Sequence, residues 1–170
     1  MNRRQLMLIG TAALAAGWSG QNVKAEERND PALITAMPNA KVTLQQALTT
    51  AAQEGQPISA KFEVEDGKLQ LSVYTAKDGK FTEVLLDYVN GKLAKTEAIT
   101  EGEDLVAAKA QSAAMAKAKI DLKTAADKAA SQNAGFRAVS VIPELKNGHA
   151  VASVGLLRGE QLQTVEQPLE

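Results

Sequence analysis

The side chains able to do chemistry in this 170-residue chain are few in kind: 20 carboxylates, one histidine and no cysteine. Without cysteine there is no disulfide, no thiolate metal site and no thiol nucleophile. His149 stands alone beside Asn147-Gly148, so there is no histidine cluster and no His-Glu-x-x-His pattern, and it reads as a solvated turn residue. That leaves carboxylates, which suit hard cations such as Ca²⁺ or a lanthanide, or which simply solvate a surface. The group of interest is Glu63, Glu83 and Asp87, with Glu101, Glu103 and Asp104 as further oxygen donors downstream.

The positions of those carboxylates follow from the strands that carry them. Ile58, Ala60, Phe62 and Val64 alternate with polar residues, and Asp66-Gly67 then supplies a two-residue turn whose positions both tolerate positive φ. Leu69, Leu71 and Val73 follow, then Asp78-Gly79, then Val84, Leu86 and Tyr88. Pairing across the two turns sets Val64, Phe62 and Ala60 against Leu69, Leu71 and Val73. The same register sets Val73, Leu71 and Leu69 against Val84, Leu86 and Tyr88, so every apolar residue falls on one face of a three-stranded meander. A slip of one residue would expose them all. The other face carries Glu63, Gln70 and Asp87 in one row and Tyr74 opposite Glu83 in another. Strands about 4.8 Å apart leave Glu63 and Asp87 about 10 Å apart, too wide for one ion to hold both without movement or water. Leu85, with Phe81 and Val89 on the same strand, makes that outer face partly apolar. Tyr74, Phe81, Leu85 and Val89 are therefore expected either to lie under another element or to meet a protein partner.

A helix should cover the inner face. Thr43 and Gln46 form a capping-box pattern, and Leu44, Ala47, Leu48, Ala51 and Ala52 recur at helical spacing before the Gly55-Gln56-Pro57 break. The pattern returns 78 residues later: Asp121 replaces Thr43 at the cap, and Leu122, Ala125, Ala126, Ala129 and Ala130 form the face. The following strands pair Val139 and Val141 with Leu156 and Val154 across Asn147-Gly148, and Leu145 with Ala150. A third strand through Leu162 and Val165 has no fixed register. The fold class expected is α+β, with two tandem units, each a helix on an antiparallel meander. The divisions are 41–96 for the first unit, 97–118 for an alanine-rich helical linker, and 119–170 for a truncated second unit. Residues 26–40 should be irregular. The linker's contact side is Leu105, Ala108, Ser112 and Met115.

The helix, break, strand, Asp-Gly turn, strand, Asp-Gly-Lys turn and closing Asp87-Tyr88-Val89-Asn90-Gly91-Lys92 resemble the PepSY domain over residues 41–96, and in weakened form over 119–167. The resemblance implies a non-catalytic module of exported bacterial proteins. Its relatives occur in propeptides of secreted peptidases, where inhibition is proposed, and among small metal-binding proteins, including lanthanide binders. It carries no set of functional residues that could be transferred by position. The expected function is therefore binding of a periplasmic protein or peptide, of inhibitor or modulator type, with Ca²⁺ or lanthanide binding through Glu63, Glu83 and Asp87 as the alternative.

Residues 1–25 read as a signal peptide, with Arg3-Arg4, an apolar run from Leu6 to Trp18 and cleavage after Ala25, for Sec or twin-arginine export to the periplasm or beyond. The run is shorter than the roughly 20 apolar residues of a membrane span, so the mature form is not expected to be membrane-embedded. Cleavage removes three of the 19 basic residues and none of the 20 acidic ones, leaving a net charge near −4. Nucleic acid, which needs a concentrated positive surface, is excluded as the expected partner.

Overall fold

The computed structural model describes residues 30–170; the signal peptide and its cleavage site lie outside the described residues. The chain folds as α+β, with helices α1 (Pro31–Ala36), α2 (Leu44–Ala51), α3 (Gly102–Met115) and α4 (Leu122–Gln132). Its strands are β1 (Gln56–Glu65), β2 (Lys68–Lys77), β3 (Lys80–Leu86), β4 (Leu93–Ile99), β5 (Arg137–Lys146), β6 (His149–Arg158) and β7 (Gln161–Pro168). All seven form one antiparallel sheet in the order β4-β3-β2-β1-β5-β6-β7, so β4 and β7 are its edges.

Local chemistry sets these boundaries as the sequence indicates. Thr43 accepts from the Gln46 N–H at 3.1 Å while Gln46 Oε1 accepts from the Thr43 N–H at 2.7 Å, closing the capping box of α2. Asp121 accepts from the Thr124 N–H at 2.7 Å and starts α4. Asp66-Gly67, Asp78-Gly79 and Asn147-Gly148 all have positive φ at both turn positions, the geometry that matches strand twist in two-residue hairpins.

The register across those turns is the expected one for Val64–Leu69, Phe62–Leu71, Ala60–Val73, Val73–Val84 and Leu71–Leu86. Leu71, Val73, Val84, Val141, Val154 and Leu156 are all fully buried. They belong to one core that runs through both halves of the sheet beneath α2 and α4. The halves meet where β1 pairs with β5 through only Ala60–Val141 and Lys61–Ser140. Arg137 reinforces this seam, donating to the Val42 carbonyl at 2.9 Å and lying 5.6 Å from the centre of the Phe62 ring.

Several expectations are corrected. Residues 31–39 are not irregular: Asp30 accepts from the Leu33 N–H at 3.0 Å, Pro31 sits where a helix tolerates it, and α1 with the following 3-10 turn (Met37–Asn39) buries Leu33 and Met37. The first meander has a fourth strand, β4, which runs into the stretch expected to be linker. Its residues are mostly exposed, so it lacks the apolar alternation that marks a half-buried strand. Tyr88 does not pair with Leu69, because β3 ends at Leu86 and the Tyr88 carbonyl instead accepts from the Lys41 and Val42 N–H groups. Ala138, not Val139, lies opposite Leu156: a bulge leaves Val139 unpaired, and β1 bulges in the same way at Ile58. The last strand is complete, with Leu162 against Leu157 and Val165 against Val154.

A second correspondence emerges at the strand ends. The Leu169 carbonyl accepts from the Lys119 and Ile120 N–H groups, as the Tyr88 carbonyl does from Lys41 and Val42. In each half the chain entering the helix is tied to the residue leaving the third strand. α4 is three residues longer than α2, which accounts for the spacing of 78 residues at the helix starts and the N–H groups before them and of 81 at the turns and the carbonyls that tie them.

Candidate binding site

α3 packs on the face of the sheet opposite α2 and α4, spanning the seam between the halves. Beneath it lies a crevice of about 120 Å³, lined by Ala107 and Ile142 together with the polar residues Ser59, Ser72, Tyr74, Asp104 and Gln111. The Tyr74 hydroxyl donates to Asp104 at 2.9 Å and Ser59 Oγ to Gln111 Oε1 at 2.8 Å, so two of the sheet's polar side chains hold the helix down. Burial, followed by the hydrogen bond to Asp104, pushes the Tyr74 phenol well above its ordinary range.

Ser72 Oγ donates to Glu83 at 2.7 Å. Burial raises the Glu83 carboxyl above its ordinary value, the Ser72 hydrogen bond opposes that shift, and the charges of Glu63, Asp104 and Glu97 add to it. A carboxyl raised in the fold contributes stability that is complete below its unfolded pKa and is lost as pH rises through the folded one. Glu83→Gln, which keeps an acceptor for Ser72, should therefore raise the melting temperature at pH 7. The gain should shrink as pH falls toward 4.5, the ordinary value for the group. Melting curves across that range check it; a lowered melting temperature at pH 7 would refute the electrostatic reading.

The residues expected to hold a cation are divided. Glu63 and Glu83 act on one another electrostatically, with Glu63 in an ion pair with Lys61 at 2.6 Å. Asp87 serves the turn after β3: its Oδ1 accepts from the Val89 and Asn90 N–H groups at 2.8 and 2.9 Å, which lowers its pKa. Asn90 Oδ1 accepts from the Lys92 N–H and Gly91 has φ of 73°, so the Asp-x-x-x-Gly-Lys element is a hydrogen-bonded turn leading into β4. Among the described residues, no three histidine, aspartate or glutamate groups converge in a metal-holding arrangement.

The four expected contact residues do not form one surface. Tyr74 is buried under α3, the cover that the partly apolar outer face called for. Phe81 is half-buried between Ala76 and Ile99, and Leu85 is half-buried between Ser72 and Lys95. Val89, 53% exposed, lies beyond the end of β3.

The larger cavity is at the other edge. About 530 Å³ opens beside β7, lined by Asn133, Phe136, Arg158 and residues 160–163. The Arg158 guanidinium lies 4.4 Å from the centre of the Phe136 ring and donates to Gln161 Oε1 at 2.8 Å and the Ala134 carbonyl at 3.3 Å. Gly135, at φ 82°, turns the chain out of α4, and a Cβ there would press on Arg158 Cδ. Asn133 Oδ1 accepts from Gln163 at 3.1 Å, so the wall of the cavity is braced to the edge strand. Sequence reasoning missed this site. Phe136 comes from the connection before β5 and Arg158 from the end of β6, and only the Arg158-Gly159 turn hinted at a strand there.

Compared with known proteins, the chain matches no family model, no curated protein and no solved structure.

Proposed function

We propose that this chain is a non-catalytic, exported binding protein of two PepSY-like units, which takes an extended segment of a partner protein along the open edge of β7. The matching caps, bulges, turns and carbonyl ties of the two halves support the two-unit reading. The N-terminal Arg-Arg, apolar run and small residues support export to the periplasm or beyond.

The observation that carries the binding reading is the cavity of about 530 Å³ set against an edge strand. Strand addition needs two things: unpaired main-chain groups for affinity and neighbouring pockets for alternate side chains. β7 offers both. The turn Gly159-Glu160 joins Arg158 to Gln161, and in a two-residue hairpin that closing pair exchanges both backbone hydrogen bonds. Counting on from it, Leu162, Thr164 and Glu166 direct their N–H and C=O groups away from β6. Phe136 and the stem of Arg158 give the cavity an apolar wall for a side chain of the incoming strand.

A displayed library of random peptides selected on the protein, then re-measured on Thr164→Pro, tests this. Proline at 164 removes an outward N–H and leaves the β6 ladder intact, a placement that edge strands tolerate. Selected peptides should lose roughly tenfold or more in affinity on Thr164→Pro, with its circular dichroism unchanged. Peptides that bind both proteins equally would overturn the assignment to β7.

A further inference from the structure

The other edge, β4, has a charge pattern that matches itself. Lys95, Thr96 and Glu97 occupy its centre, with Lys95 opposite Leu85 and Glu97 opposite Glu83, so both charged side chains stand on the α3 face of the sheet. We propose that two copies of this chain pair through β4, antiparallel about a two-fold axis at Thr96, joining their sheets edge to edge.

The backbone supports that axis independently of the charges. Asp78-Gly79 closes a two-residue hairpin at Lys77–Lys80, and the alternation from there turns Phe81, Glu83 and Leu85 toward β4. Their partners Ile99, Glu97 and Lys95 turn back toward β3, leaving Thr96 and Ala98 with N–H and C=O groups facing outward. Pairing about Thr96 therefore lets the two Thr96 residues exchange both hydrogen bonds. It sets Lys95 opposite Glu97 of the second copy, and Glu97 opposite its Lys95, at the non-hydrogen-bonded positions where side chains approach most closely. The Lys95–Glu97 ion pair already present within the strand becomes part of a four-charge array of alternating sign.

Neighbouring registers lack this match. An axis at Ala98 would set Glu97 opposite Ile99. The same operation on β7 about Thr164 would set Leu162 opposite Glu166. A two-fold contact of this kind closes on itself and does not propagate.

Sedimentation of the protein recovered from the periplasm of an expressing bacterium tests the pairing. The wild-type chain should show a concentration-dependent dimer, weakened by salt. Lys95→Glu, which sets like charges opposite each other, should weaken the dimer roughly tenfold or more. Adding Glu97→Lys to that variant recreates a self-complementary edge and should restore the dimer. Thr96→Pro should be monomeric with unchanged circular dichroism. A wild-type monomer at every concentration, or a dimer that persists in both Lys95→Glu and Thr96→Pro, overturns the proposal.

Discussion

Removing Leu169 and Glu170 should lower the unfolding free energy by about 4 kcal/mol, near the upper end of what a single buried leucine contributes. Leu169 is fully buried despite lying next to the last residue of the sequence. Losing its side chain alone costs about 2–5 kcal/mol in a packed core. The truncation also removes the Leu169 N–H bond to the Ala150 carbonyl at 3.0 Å and strands the Lys119 and Ile120 N–H groups that its carbonyl accepts. The Ala150 N–H loses the Glu170 carboxylate at 2.7 Å as well. Since small domains have total stabilities of about 5–15 kcal/mol, denaturant titration should show a large fall in midpoint. Leu169→Ala, which keeps the main-chain ties, should lose less. If both variants unfold like the wild type, the tie between the entry of α4 and the end of β7 is not structural.

Gly155→Val should destabilise by about 2–3 kcal/mol, although valine is favoured over glycine in strands by intrinsic preference. Gly155 lies opposite Ser140 on β5, beside the seam where β5 meets β1. A Cβ on Gly155 would overlap Ser140 Oγ, and Val139 Cγ2 would be within 3.4 Å of it. Overpacking of this kind outweighs the strand preference. Ser140→Ala removes the obstructing oxygen, so the double variant should recover part of the loss, and the two changes should be non-additive in a double-mutant cycle. Additive losses would mean that the glycine is required for another reason.

The inner face was legible because it is written twice over, once in periodicity and once in the Asp-Gly and Asn-Gly turns that fix register. Ala60, Phe62, Leu71, Val73 and Val84 had to share a face, and they do. The outer face was less legible. The docking of α3 combines burial of Ala108 and Met115, which its helical spacing anticipated, with two hydrogen bonds of long sequence separation, Tyr74 to Asp104 and Ser59 to Gln111, which no local pattern announces. β4 was hidden because Lys95, Thr96 and Glu97 carry no buried side chain. The cavity beside β7 was hidden for a different reason: Asn133, Phe136, Arg158 and Gln163 come together only after the sheet forms.

The partner-binding account is tested most directly by amide hydrogen exchange on the protein with and without a peptide selected on it. Pairing along β7 predicts slowed exchange at Leu162, Thr164 and Glu166, whose N–H groups face outward, with little change at Phe81–Val89. Slowing at Phe81–Val89 with none along β7, or no slowing at any strand edge, would contradict it.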